Sequence, residues 1–300
     1  EEKSEDKKAD SKFGSMESGT NIKAVDASDV YNQLASRNGD APIFSAMAGA
    51  KFKIDPEKCA DWVETIGKKE FVGRLKTVQG KIPSEGLSKD KMPVLPNPKD
   101  KDIKGSVSDL KDILTPGGEY NVDFESKMIK GKPMTEAATL FNRWGKLAGI
   151  ITEKVKPPAA NALSGGDEES ESYLKSGLKD GNDKDDNIKF DVNGSLKASA
   201  AIPTQTNILI GKTMGMAIPT DAGGAGMTGG PIDAYAGTDG EILDGHHRWA
   251  AMMISNPEEA DMGTIMTIDL GAVGGGEDNI AGLKQLTAIG NAMGNPTKTK

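Results

Sequence analysis

Residues 241–255, EILDGHHRWAAMMIS, constrain this chain more than any other stretch. Glu241 to Leu243 read as a short strand after turn residues 237–240, and Ala250 to Ile254 read as a helix. Asp244 and Gly245 therefore fall at a strand-to-helix corner. Both histidines of the protein, His246 and His247, sit side by side at this corner. Arg248 and Trp249 follow them directly, so rare polar residues lead straight into an apolar helix that must be covered.

Such a corner has a definite chemistry. The first backbone N–H groups of a helix lack intrahelical partners and carry the positive end of its dipole, which makes the start of the helix an anion site. Gly245 lets a ligand approach the backbone, and Asp244 is placed to cap the helix, hold a magnesium ion or orient a hydroxyl. Arg248 offers a planar fork for two phosphate oxygens, and each imidazole can donate a hydrogen bond or transfer a proton near neutral pH. Together these residues describe a phosphate cradle.

At these positions the chain resembles a known superfamily. Gly245-His246-His247-Arg248 is similar to the Gly-Cys-His-Arg box of sulfiredoxins and the Gly-Glu-Arg-Arg box of ParB partition proteins. It is most similar to the Asp-Gly-His-His-Arg box of ParB-like proteins described as nucleases or free-serine kinases. The resemblance covers roughly residues 190–270, with Ile202-Pro203-Thr204-Gln205 resembling the segment that opens the domain. It implies an α+β fold, a small mixed sheet with helices, in which the box binds nucleotide phosphates at a helix N-terminus. The implied contacts are Gly245, His247, Arg248, Thr204, Gln205 and Lys212, with Asp244 and His246 nearest the chemistry and Asp244 as a magnesium ligand. The implied ligand is ATP, ADP or CTP with magnesium. His246 stands where sulfiredoxins carry their reactive cysteine, so sulfinic-acid repair is excluded.

Two simpler readings stand beside this one. The histidines could also be the polar first turn of a packed helix, with Arg248 solvated. A zinc site would need three or four ligands, and the box supplies two histidines with Cys59 far off in sequence.

Composition narrows the partners. A net charge of -8 argues against broad attraction to a duplex phosphate backbone, which needs clustered lysine and arginine. A lone cysteine cannot form an internal disulfide framework and fits a reducing compartment. No apolar run of membrane-spanning length occurs, so the expectation is a soluble protein, intracellular or part of a virion, without membrane contact. The opening EEKSEDKKADSK, without methionine or a leader pattern, reads as a processed start.

Along the chain, residues 1–19 read as a disordered arm, 20–164 as a mainly helical domain, 165–187 as an acidic linker and 188–300 as the ParB/sulfiredoxin-like domain. Helices are predicted from Asp26 or Ser28 to Ser36, after Asp55-Pro56 with a break near Gly67 or Gly73, at 106–114, at 135–151 and at 278–293. Residues 81–104 carry four prolines and read as an extended connector. In the C-terminal part, 189–192 and 196–202 are predicted to pair as a hairpin through Asn193-Gly194, as are 232–235 and 241–243, with a further strand in 263–270. Three motif matches fail on context. Residues 180–186 lack the glycine and glutamate spacing of a calcium loop, and Ile208 to Thr213 has Thr206 where a phosphate loop needs its first glycine. Gly224, Gly226 and Gly229 precede Pro231 and an extended run, so they read as a flexible loop able to close over a ligand.

Two functions follow from this reading. One is a nucleotide- or phosphate-binding ParB/sulfiredoxin-like protein, extending to a phosphotransferase, phosphohydrolase or nuclease. The other is a structural or interaction component of a larger assembly, such as a virion protein, that binds protein partners and keeps the fold without catalysis.

Overall fold

Aspartates set the starts of the first helices. The Asp26 side chain accepts from the Asp29 N–H at 2.8 Å and opens α1 (Ala27–Ala35). Asp55 accepts from Glu57 and Lys58 and, with Pro56 in the first turn, opens α3 (Pro56–Ile66). Between them lies α2 (Pro42–Gly49), and Gly67 at φ +82° separates α3 from α4 (Lys68–Lys81). Gly73, the other expected break, lies inside α4. The computed structural model describes residues 16–86, 88–89, 92–96, 103–114, 128–129, 132–133, 189–230, 232, 234–237, 240–258, 260–262, 265–269, 286–287, 290–291 and 293–295. The expected helix at 135–151 and the acidic stretch at 165–187, with its calcium-like residues, lie outside them.

Helix α5 (Val107–Leu114) falls where the sequence predicted it. Next come a two-residue ladder, β1 (Met128–Ile129) with β2 (Lys132–Pro133), and then the C-terminal elements: β3 (Lys189–Gly194), β4 (Ile202–Pro203), α6 (Ile210–Ala217), β5 (Ala234–Gly237), β6 (Glu241–Asp244), α7 (His246–Ser255) and β7 (Ile265–Asp269). The main sheet has the order β3-β7-β5-β6-β4. β3/β7 and β5/β6 pair antiparallel, while β7/β5 and β6/β4 pair parallel. The architecture is α+β.

Two expectations are corrected. Asn193-Gly194 does not turn a hairpin: both residues belong to β3, whose register with β7 shifts between Asp191 and Gly194, a bulge in place of a turn. Residues 197–201 form tight turns held by the Ala198 N–H donating to Ala260, and β4 joins β6 at the opposite edge of the sheet. The glycine loop is not free to close. Backbone N–H groups of Gly224, Ala225, Gly226 and Met227 donate to carbonyls of Pro219, Gly215, Ile218 and Met216, which ties it to the end of α6. Within the stretch expected as an arm, Met16 is buried and Ser18 packs against Gly49, while residues 1–15 lie outside the described residues.

One apolar cluster draws on Met16 to Ile82 and on Ala198 to Met262, so the core crosses the expected domain boundary. α2 and α6 meet through small residues. A Cβ on Gly211 would lie 2.4 Å from the Ala46 carbonyl oxygen, and one on Gly215 would lie 2.2 Å from the Phe52 ring. The polar N-terminal segment joins them: Asn21 and Leu209 form an antiparallel bridge, with the Ile22 N–H donating to Ile208 and the Ile210 N–H donating to Thr20.

Candidate functional site

α7 is the most enclosed helix near the corner. Trp249 through Ile254 are buried, and the Trp249 indole N–H donates to the Ala198 carbonyl at 2.8 Å. At its far end the Arg74 guanidinium, reaching from α4, donates to the carbonyls of Ile254 (3.0 Å) and Ser255 (2.7 Å), satisfying carbonyls that a helix end leaves open. Its start is different. Gly245 occupies the N-cap at φ +107° and ψ 13°, and no side chain caps the first turn. Any Cβ there would be strained by that φ and would sit 2.9 Å from the Ala234 methyl on β5.

The two histidines turn inward. The Nε2 atom of His246 accepts from the backbone N–H groups of Thr204 and Gln205, at 3.1 Å each, and the ring is 2% exposed. The Thr204 hydroxyl lies 3.2 Å from the same nitrogen but donates to the Ile242 carbonyl at 2.6 Å. Burial pushes the His246 imidazole down to about 4, against the upward pull of Asp244 and a hydrogen bond with the Ile242 backbone, while Arg248 adds to the fall. The Nε2 atom of His247, 8% exposed, accepts from the Leu209 N–H at 3.0 Å. Consecutive helical residues project about 100° apart, yet both rings reach the single segment 204–209, because that segment runs past the start of the helix.

Asp244 and Arg248 lie on the other side of the corner. The Arg248 Nη2 donates to the Asp244 Oδ2 at 3.1 Å, one helical turn away, and its Nη1 donates to the Ile232 carbonyl. The Arg248 side chain is 16% exposed and that of Asp244 37%, so this pair reaches solvent where the histidines do not. Asp244 is therefore an ion-pair partner and not the helix cap.

The structure brings Thr204, Gln205, Asp244, Gly245, His246, His247 and Arg248 to one corner. Lys212 is half-buried in the first turn of α6, three residues beyond the Leu209 N–H that His247 holds. Gln205 is buried with its amide donating to the Asn207 carbonyl, and the buried Asn207 Oδ1 has no hydrogen-bond partner among the described residues. No group of three or more His, Cys, Asp or Glu side chains fit to hold a metal occurs among the described residues. Of the Asp244 carboxylate, Oδ2 accepts from the Arg248 guanidinium. Cys59 is buried in α3, where burial pushes its thiol up to about 12, and it takes no part.

Sequence reasoning missed the groups that complete the corner: the Leu209 N–H and the carbonyls of Ile232 and Ile242. All are backbone groups brought in by the fold, and no side-chain pattern signals them. No helix among the described residues is long and apolar enough to cross a membrane. No protein-family model matches the chain, no curated protein matches its sequence and no solved structure matches it.

Proposed function

We propose that this protein is a phosphate-binding module of the ParB/sulfiredoxin-like kind that holds a nucleotide, ATP, ADP or CTP, by its phosphates. The observation that carries this reading is the start of α7: an uncapped first turn behind a left-handed glycine, with a partly buried Arg248–Asp244 pair beside it that still reaches solvent. The turn supplies N–H donors and Arg248 supplies charge, the two things a phosphate needs. Binding is favoured over turnover. A general base must reach the proton it takes, and the Nε2 atoms of both histidines already accept from backbone N–H groups.

That same inward commitment supports a second reading, a structural or interaction component of a larger assembly that retains the fold without catalysis. Titrating ATP, ADP, CTP and inorganic pyrophosphate into the full chain, with and without magnesium, separates the two. Saturable binding shared by the nucleotides and pyrophosphate supports the module. Absence of binding by all four leaves the assembly role.

A further inference from the structure

We infer that His246 and His247 form a two-point latch: each ring carries its proton on Nδ1 and uses Nε2 as the acceptor that holds segment 204–209 against the start of α7. Proton positions decide the tautomers. A backbone N–H can only donate, so the nitrogen it faces must offer a lone pair. Nε2 of His246 faces two such donors, Thr204 and Gln205, and Nε2 of His247 faces a third, Leu209. The Thr204 hydroxyl cannot be the proton source for His246, because its single proton goes to the Ile242 carbonyl. Each ring is therefore neutral with the proton on the opposite nitrogen. This differs from the expectation drawn from the sequence, in which His247 contacts the phosphates and His246 lies nearest the chemistry.

The segment they hold links the two parts of the chain. Thr206 accepts from the Asn21 side-chain amide, Ile208 accepts from the Ile22 N–H, and Gly86 lies against the Thr204 carbonyl. The latch thus fixes Thr204 and Gln205 beside α7 while the N-terminal segment fixes Thr206 and Ile208 from the other side. Both histidines are positioning residues. Their link to phosphate rests on the proposed function; the latch itself does not.

The protein has only two histidines, so the test needs little assignment. In full-length protein labelled with nitrogen-15 at histidine, two-bond proton–nitrogen spectra at neutral pH should show both rings protonated at Nδ1 and bare at Nε2. An Nε2-protonated or doubly protonated ring at either position overturns the latch. Amide exchange supplies the second arm. His246→Phe should speed exchange at Thr204 and Gln205 by about tenfold or more and spare Leu209, and His247→Phe should do the reverse. His246→Gln, which restores an acceptor oxygen, should recover protection at Thr204 and Gln205. Uniform loss of protection across the core in both Phe variants together with Nε2–H rings would refute the proposal. Pyrophosphate titration of the parent reports on the phosphate reading alone, so either idea can fail without the other.

Discussion

His246 and His247 differ from Asp244 and Arg248, their neighbours in a five-residue box, in what they touch. The histidines are almost wholly enclosed and bind backbone N–H groups some 40 positions away in sequence, whereas Asp244 and Arg248 pair with each other across one helical turn and keep contact with solvent. Burial decides the difference in their worth. A buried N–H robbed of its acceptor has no water to turn to, while a partly exposed ion pair recovers part of its loss from solvent. One side of the box is tied to the backbone of residues 204–209, and the other is the side proposed for a ligand.

The largest effect should come from breaking the inner side. His246→Phe leaves the buried Gln205 N–H and the partly buried Thr204 N–H without an acceptor and should cost about 2–4 kcal/mol in denaturant unfolding. If Arg248→Ala costs more stability than His246→Phe, the division between the two sides is wrong.

Acid probes the same side without mutation. An ordinary imidazole titrates near 6.5, and in the folded chain burial holds His246 down to about 4, so the unfolded chain takes up the proton first. The ring's contribution is therefore fully present above about pH 6.5 and is lost as pH falls toward 4, up to roughly 3 kcal/mol. In His246→Gln that part of the pH dependence should disappear. An unchanged slope of stability between pH 6.5 and 4 would contradict the buried neutral ring.

Gly245, between the two sides, comes next. Gly245→Ala meets both the positive φ and the Ala234 methyl and should destabilise by about 1–3 kcal/mol. A neutral result in thermal melting would mean that the corner relaxes and that the glycine is not required by the backbone.

The outer side should respond least in stability. Asp244→Asn removes the charge of the more exposed partner of a partly buried pair and should change stability by about 1 kcal/mol or less. The same change frees one arm of the Arg248 fork, so pyrophosphate should bind more tightly than to the parent. Weaker binding would show that Asp244 helps the ligand and does not compete with it.

What the sequence disclosed follows the range of the forces involved. Caps at Asp26 and Asp55, the break at Gly67, the hairpin of β5 with β6 and the strand-to-helix corner are local, and each was legible. α6 was not read as a helix because Gly211 and Gly215 argue against one locally; their reason lies in Ala46 and Phe52, more than 160 residues away. α2 hid for a different reason, since its almost wholly apolar sequence, Ile43, Phe44 and Met47 among it, draws no polar face. The box itself was legible as a constellation. The direction of the histidines was not, because their partners are backbone groups of residues 204–209, whose type at those positions carries no signal.

The account stands most directly on Arg248. Calorimetric titration of inorganic pyrophosphate into the folded parent and into Arg248→Ala, in the same buffer and salt, should show binding by the parent that weakens about 10- to 150-fold in the variant, the loss expected for one charged hydrogen-bond donor to phosphate. Equal affinity in the two proteins, or no heat of binding in either, would contradict a phosphate site at the start of α7.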